Sequence, residues 1–135
     1  MTTSPEVLEL IQENQQRRDK VLDLGAQGFT EIPAEVYQLT HLEELNLYNN
    51  KIQVIPESFG NLTQLTSLDL HSNELGTLPE SFGNLTQLTF LDLSMNQLST
   101  LPESFGKLSQ LTYIDLEGNQ LNMLPESFGN LGVTH

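Results

Sequence analysis

Hydrophobic and polar positions alternate in short segments of this 135-residue chain, and the alternation returns at a fixed interval. In the segment LTSLDL, Leu68 and Leu70 alternate with Ser67 and Asp69. A period of two places the leucines on one face of an extended strand and the polar residues on the other. Because such a strand is too short to be stable alone, we expect it to pair with its copies elsewhere in the chain.

The copies recur every 23 residues. The phrase IPESFGNLTQLTSLDL at residues 55–70 returns as LPESFGNLTQLTFLDL at 78–93 and as LPESFGKLSQLTYIDL at 101–116. The same interval separates the prolines Pro33, Pro56, Pro79, Pro102 and Pro125. A fixed period of this length indicates a solenoid in which each unit packs on the next, so that the leucines of successive units form one core.

The second half of the unit, LPESFGNL, predicts one helical or 3₁₀ turn on the convex side of the solenoid. Proline fixes one backbone angle, phenylalanine fills the core and glycine releases the turn. Aromatic residues at constant spacing are also compatible with a ligand box, but a second interior column is the favoured interpretation. Its members would be Val36, Phe59, Phe82, Phe105 and Phe128.

The first residues predict a helix that covers the N-terminal end of the solenoid. Ser4 is a candidate helix cap, Pro5 suits the first helical position, and Arg17 and Arg18 lie near the helix's negative end. The expected buried stripe consists of Val7, Leu8, Leu10 and Ile11. A membrane-surface helix is the alternative, which the acidic balance of the chain disfavours.

Each unit also follows the pattern L-x-x-L-x-L-x-x-N-x-L, as in LEELNLYNNKI, LTSLDLHSNEL, LTFLDLSMNQL and LTYIDLEGNQL. The chain therefore resembles the leucine-rich repeat family. The resemblance implies an α/β repeat solenoid, a curved horseshoe segment with a parallel concave sheet and an N-terminal capping helix. It divides the chain into that helix at 1–18, about five repeats of 23 residues at 19–131, and a short tail at 132–135.

The asparagine of the pattern suits the point where the chain leaves the strand, because its side chain can satisfy backbone groups there. The resemblance implies a buried, structural ladder formed by Asn50, Asn73, Asn96 and Asn119. In the first, degenerate unit Gln27 stands in place of the asparagine.

The 23-residue unit with LPESFGNLTQL is also similar to the intracellular repeats of Ras-binding scaffold proteins and to the repeat segments of bacterial Roco-type GTPases. That similarity implies either an interaction module or the recognition arm of a larger enzyme. We find no phosphate-binding GxxxxGK[ST] motif in the chain.

The charge composition limits the classes of partner that the chain is expected to bind. Five Lys+Arg against eighteen Asp+Glu give a formal net charge of −13, which opposes binding to nucleic acid or to an anionic membrane and leaves a basic protein surface as the expected partner. The start of the chain lacks a basic region followed by an apolar one, and no apolar run approaches the roughly 18 residues of a membrane span. These features predict a cytoplasmic protein.

No catalytic set or cofactor site is expected. The chain has no cysteine, and His41, His71 and His135 have no second ligand at metal spacing. The aspartates of successive strands form a straight row, which disfavours calcium because a row does not surround an ion. We therefore predict a protein that is not an enzyme.

Recognition is expected on the concave face, where the non-leucine strand positions form columns about 5 Å apart. Aromatic and acidic residues together suit protein recognition. The candidate partner-binding residues are Tyr48, Asp69, His71, Phe90, Asp92, Met95, Tyr113 and Asp115. The aspartate row is also compatible with inherited consensus, and His71 with an ordinary solvated side chain.

The last strand raises a second hypothesis. Without a recognisable polar cap after it, Tyr113, Ile114 and Leu116 would form an open edge. A self-associating structural unit that dimerises through this edge is therefore the alternative to a recognition module.

Overall fold

The computed structural model describes residues 4–130. One α-helix, α1 (Pro5–Arg17), precedes five units, each made of a three-residue strand and a five-residue 3₁₀ helix. The strands are β1 (Val21–Asp23), β2 (Glu44–Asn46), β3 (Ser67–Asp69), β4 (Phe90–Asp92) and β5 (Tyr113–Asp115). The 3₁₀ helices are η1 (Ala34–Gln38), η2 (Glu57–Asn61), η3 (Glu80–Asn84), η4 (Glu103–Lys107) and η5 (Glu126–Asn130). The predicted tail at 132–135 lies outside the described residues.

The five strands form one parallel sheet in chain order, which confirms the predicted solenoid with its parallel sheet. Equivalent positions of successive repeats are paired across the sheet, so that Ser67 lies opposite Phe90 and Asp69 lies opposite Asp92. Along strand β3 the side chains alternate in burial as predicted: Leu68 is fully buried, whereas Ser67 and Asp69 are half-buried. The leucines of successive units form one continuous core.

The asparagine ladder joins neighbouring units. The Asn73 amide Nδ2 donates to the carbonyl oxygens of Leu47 and Leu70, both at 3.0 Å, and its Oδ1 accepts from the backbone N–H of Ile52 at 3.1 Å. Asn96 makes the same set of bonds one unit later. These contacts confirm the ladder, although Asn119 in the last strand-bearing unit is only half-buried.

The phenylalanine column is also confirmed as core. Phe82 stacks between Phe59 and Phe105, with ring centroids 6.2 and 6.1 Å away. Val36 is fully buried at the equivalent place in the first unit, and Tyr37 meets Phe59 edge-on.

The glycine of each PESFG segment has a different role from the one expected. A Cβ on Gly83 would lie 2.5 Å from the Ser104 Cβ and 2.6 Å from the Ser104 carbonyl oxygen of the next unit. The same serine donates from its hydroxyl to the Glu80 carbonyl at 2.6 Å. The glycine therefore permits close stacking of the 3₁₀ helices, and it does not release the turn through a positive φ.

Helix α1 begins as predicted, with the Ser4 hydroxyl accepting from the Val7 N–H at 3.3 Å and Pro5 at the first position. Its buried face differs from the prediction, because Leu10 is 44% exposed and Leu8 only half-buried. The buried face is formed by Val7, Ile11 and Asn14, because residues spaced by four and three positions lie on the same side of a helix. Within residues 4–130, no helix is both long and apolar enough to cross a membrane.

Asn14 attaches this helix to the sheet. Its Nδ2 donates to the carbonyl oxygens of Asp19 and Val21, at 3.2 and 3.3 Å, and its Oδ1 lies 2.6 Å from His41 Nε2. The His41 Nδ1 is buried without a hydrogen-bond partner. Loss of solvation, followed by the nearby Arg18 charge, lowers the pKa of His41. Because the Asn14 Nδ2 donates to the two carbonyls, its Oδ1 is the acceptor and the His41 Nε2–H donates to it.

Candidate functional site

The concave face of the sheet carries the predicted columns in the predicted register. The first two strand-borne columns are Val21, Glu44, Ser67, Phe90, Tyr113 and Asp23, Asn46, Asp69, Asp92, Asp115. Just after each strand the chain turns through left-handed backbone at Ala26, Asn49, Ser72, Met95 and Gly118. The sequence offered a signal for this turn, because Asn49 and Gly118 belong to the residue types that adopt positive φ most easily.

Two aromatic side chains on β4 and β5 form a stacked pair on the outward side of the strands. Phe90 and Tyr113 stack with ring centroids 4.8 Å apart and an angle of 5° between planes, and Tyr113 is 44% exposed. Partial loss of solvation, followed by the Asp115 and Asp92 carboxylates, raises the pKa of Tyr113. The rings follow the strand spacing, so the stack extends across the sheet.

A second stack lies beyond the carboxyl ends of β2 and β3. The rings of Tyr48 and His71 are 5.4 Å apart and nearly parallel. A Cβ on Gly25 would lie 2.4 Å from the Tyr48 Cζ, so the tyrosine ring lies directly over this glycine.

The aspartates of β3, β4 and β5 each have a structural role. The Oδ1 atoms of Asp69, Asp92 and Asp115 accept from the backbone N–H two residues later, at 3.0, 2.9 and 3.0 Å. Each bond closes a turn of the kind that aspartate side chains favour. This finding supports the consensus interpretation for one carboxylate oxygen of each residue, and the other oxygen remains on the concave surface.

His71 lies closer to carboxylates than the sequence predicted. Its Nδ1 is 2.6 Å from Asp69 Oδ1 and 3.8 Å from Asp92 Oδ2. The expectation that His71 has no second ligand at metal spacing is therefore wrong, because these three side chains bring ligand atoms within 4.8 Å of one another. Asp92 belongs to the next strand, so its proximity follows from register and not from local spacing.

Met95 does not join the aromatic pair. It lies after β4 with φ 57° and 59% exposure, and its sulfur would be 2.5 Å from a Cβ on Gly118. The apolar candidates for partner binding therefore form two separate features, the Phe90–Tyr113 stack at the start of the strands and Met95 beyond their far end.

A cavity lies away from the strands. About 660 Å³ in volume, it is lined by residues 29–35, 37, 53, 54 and 56, in the segments that lead to η1 and η2. Burial, followed by the Glu31 charge, raises the pKa of Tyr37 in its wall to about 12. The concave candidates do not line this cavity.

The predicted edge is the last strand of the described sheet. Ile114 and Leu116 face the core, with 1% and 8% exposure, so of the three edge residues only Tyr113 presents a side chain to solvent. The exposed apolar side chains near this end are instead Met123, at 78%, and Leu124, at 44%. Sequence analysis missed both because they lie in the less regular segment between β5 and η5.

Stacked strand–turn–3₁₀ units with a uniform interior and a varied concave face define a repeat scaffold. The family model described as leucine rich repeat matches residues 20–75 and 77–121. This chain belongs to the leucine-rich repeat family.

No curated protein matches the chain at a significant level. Among solved structures, a leucine-rich repeat protein of Leptospira interrogans is 30% identical with a TM-score of 0.74, over 99% of this chain and 40% of that one. The ectodomain of the Arabidopsis thaliana receptor kinase GASSHO1/SCHENGEN3, in complex with CASPARIAN STRIP INTEGRITY FACTOR 2, is 34% identical with a TM-score of 0.66. That match covers 76% of this chain and 13% of the ectodomain. The chain therefore spans less than half the length of either structure.

Leucine-rich repeat domains generally mediate protein–protein interaction, and the fold is typically a non-catalytic binding scaffold. The finer similarity to Ras-binding scaffolds and Roco-type GTPases stays a prediction.

Proposed function

We propose that this protein is an interaction module that binds a protein partner on its concave face. The observation that carries the proposal is the Phe90–Tyr113 stack, in which Tyr113 is exposed and Phe90 half-buried, at positions that the packing of the repeats leaves free to vary. Large aromatic side chains with little rotamer freedom are the typical anchors of protein interfaces. The related plant ectodomain was solved in complex with CASPARIAN STRIP INTEGRITY FACTOR 2, which supports a binding role for the same fold.

Charge indicates the character of the partner. The net charge is −13, and the ion pairs of lysine and arginine within residues 4–130 lie on α1 and at Lys20, away from the aspartate row. A partner with a basic surface would be attracted by this field and would relieve the repulsion between neighbouring carboxylates. A cytoplasmic location, where such a partner would be met, is part of this proposal.

Site-specific crosslinking tests which face is used. A photocrosslinking residue, p-benzoylphenylalanine, replaces Glu44 on the concave face, or Glu80 on η3 as the matched control. We expect one protein to be joined to the concave variant and not to the η3 variant. Crosslinking from position 80 alone would contradict the proposal.

Affinity for the crosslinked partner then tests the anchor. Tyr113→Ser should weaken binding by about tenfold or more, as for an interface hot spot. Val21→Ser is the control, because Val21 occupies the same column on β1 and is 50% exposed. We expect that variant to bind within about twofold of the unchanged protein, measured by calorimetry, and equal losses at both positions would refute a specific anchor.

Self-association through the last strand is the second candidate function. The observation in its favour is the exposure of Met123 and Leu124 beside the edge strand β5. If it is correct, Met123→Glu with Leu124→Lys should abolish a dimer seen by sedimentation equilibrium. Val54→Glu is the control, since Val54 is 64% exposed and lies far along the chain. A monomer over a hundredfold concentration range would remove this candidate.

The hypothesis of a recognition arm rests on the Roco-type resemblance. The open reading frame around this chain tests it, because an enzyme domain would be encoded in the same frame.

A further inference from the structure

A slot opens on the concave face above Ser67. Ser67 lies opposite Phe90 on the neighbouring strand, and both residues are half-buried. Because a serine side chain is too small to cover an aromatic ring, we infer that this side of the Phe90 ring is uncovered. The other side of that ring is covered by Tyr113, 4.8 Å away and nearly parallel. Since this separation equals the strand spacing, the uncovered ring face points along the sheet toward β3.

Two carboxylates bound the slot at one end. Asp69 and Asp92 are two residues beyond Ser67 and Phe90 on the same face, a distance of about 7 Å along each strand. Their Oδ1 atoms hold the turns, whereas neither Oδ2 atom accepts a hydrogen bond within residues 4–130. The His71 Nδ1 lies 3.8 Å from Asp92 Oδ2.

The combination fits one type of side chain. A guanidinium group is planar, so it stacks on an aromatic face, and its fork of N–H donors matches carboxylate oxygens. A lysine ammonium is a compact and strongly hydrated charge, so it gains less from the ring. Only the β3–β4 pair offers this arrangement, because Glu44 on β2 and Val21 on β1 replace the aromatic wall in the described sheet.

We propose that the slot bounded by Ser67, Phe90, Asp69 and Asp92 binds an arginine side chain of the protein partner. The inference rests on the proposed concave binding function and adds the identity of the residue recognised. The guanidinium lies over Ser67, stacks on the uncovered face of Phe90 and donates to the Oδ2 atoms of Asp69 and Asp92.

Small probes test the slot without knowledge of the partner. N-acetyl-arginine N-methylamide, the corresponding lysine compound and the neutral citrulline compound are each titrated into the isotope-labelled chain and followed by NMR. We expect the arginine probe to shift the signals of Ser67, Phe90 and Asp92 and to bind in the millimolar range. The lysine probe should bind at least about fivefold more weakly, and citrulline should not bind. Equal shifts with arginine and lysine, or no shift at these residues, would overturn the proposal.

Variants separate the slot from general charge. Ser67→Phe fills the slot and Asp92→Asn removes one charge while keeping an oxygen for the turn, so both should reduce arginine binding by about tenfold. Asp23→Asn is the matched control, because Asp23 makes the same turn contact on β1, where Val21 stands at the position that Phe90 occupies on β4. Equal loss in the control would show a non-specific charge effect and would reject the slot.

The outcome for the crosslinked partner distinguishes the two proposals. If concave crosslinking succeeds and no partner arginine is sensitive to replacement by lysine, the arginine slot fails while the binding function stands. If concave crosslinking fails, the binding function itself fails, whatever the small probes do.

Discussion

The two faces of the same strands differ in what they tolerate. The inward positions repeat with little change, as Leu22, Leu45, Leu68, Leu91 and Ile114. The outward positions one residue earlier vary widely, as Val21, Glu44, Ser67, Phe90 and Tyr113. An inward residue must pack against a copy of itself in the next unit, whereas an outward residue meets only its cross-strand neighbours and solvent. Repetition therefore reflects stability, and variation marks the surface available for recognition.

Removal of an aromatic ring from the interior column should give the largest loss in the free energy of unfolding. Phe82 is fully buried between two other rings, so Phe82→Ala leaves a cavity in the stack. We expect the free energy of unfolding to fall by about 4 kcal/mol, measured by urea denaturation with circular dichroism. A loss below about 1 kcal/mol would mean that the neighbouring units collapse into the space.

Removal of an asparagine from the ladder should give the second-largest loss of stability. Asn73→Ala leaves the Leu47 and Leu70 carbonyls and the Ile52 N–H with one partner fewer, inside the turn region. Buried groups without partners cost free energy, and we expect a loss of about 3 kcal/mol in the same measurement. Asn84→Ala is the control, because Asn84 is exposed at the end of η3, and it should change stability by less than about 0.5 kcal/mol.

Close stacking of the 3₁₀ helices can be tested with a single methyl group. Gly83→Ala places a Cβ 2.5 Å from the Ser104 Cβ, so the two units must move apart. We expect a loss of about 2 kcal/mol from overpacking. Gly76→Ala is a matched control, since nothing lies within 4 Å of its Cβ position. Equal effects at both glycines would show that backbone entropy, and not contact, explains their presence.

At the N-terminal end of the solenoid we expect a smaller change in stability, which depends on pH. Where α1 replaces a neighbouring unit, Asn14 and His41 make the contact that a repeat would make, with Arg18 and Asp19 as the facing charges. Since folding lowers the pKa of His41 from 6.5, the unfolded chain binds more protons below that pH. The contribution of neutral His41 to the free energy of unfolding is therefore complete above pH 6.5, and it is lost as the pH falls below 6.5 and through the lowered pKa of the folded state.

Substitution of the ring isolates this effect. In His41→Gln, the slope of stability between pH 7.5 and 5.5 should be reduced relative to the unchanged chain, measured by thermal unfolding. An unchanged slope would mean that His41 does not contribute to the pH dependence of stability.

The distinction between the faces explains how much of the molecule sequence analysis predicted. The strand register and the column at Phe82 follow from period and residue type, because each unit has the same environment, and the ladder at Asn73 follows from the family resemblance. At the N-terminal end the environment is unique, so the helical pattern predicts Leu10 in the core, whereas Asn14 occupies that face.

Contacts between strands were harder to predict than positions. The five candidates on the strands lie in the expected columns, but the proximity of His71 to Asp92 depends on side-chain directions across two strands. The same is true of the structural use of one oxygen on Asp69, which one-dimensional patterns do not reveal. A sequence pattern shows which residues share a face, and only three-dimensional contacts show which atoms remain available.

Removal of the concave rings should have the smallest effect on stability, although it should have a large one on binding. Phe90 and Tyr113 stack on each other, so Phe90→Ala is expected to lower the free energy of unfolding by about 1 kcal/mol or less. The same ring deleted at Phe82 costs several times more, because it is surrounded by neighbouring units on both sides. Urea denaturation of the two variants side by side measures the difference between the faces directly. A loss at Phe90 as large as that at Phe82 would mean that the concave rings are part of the core, and that variation there does not mark a recognition surface.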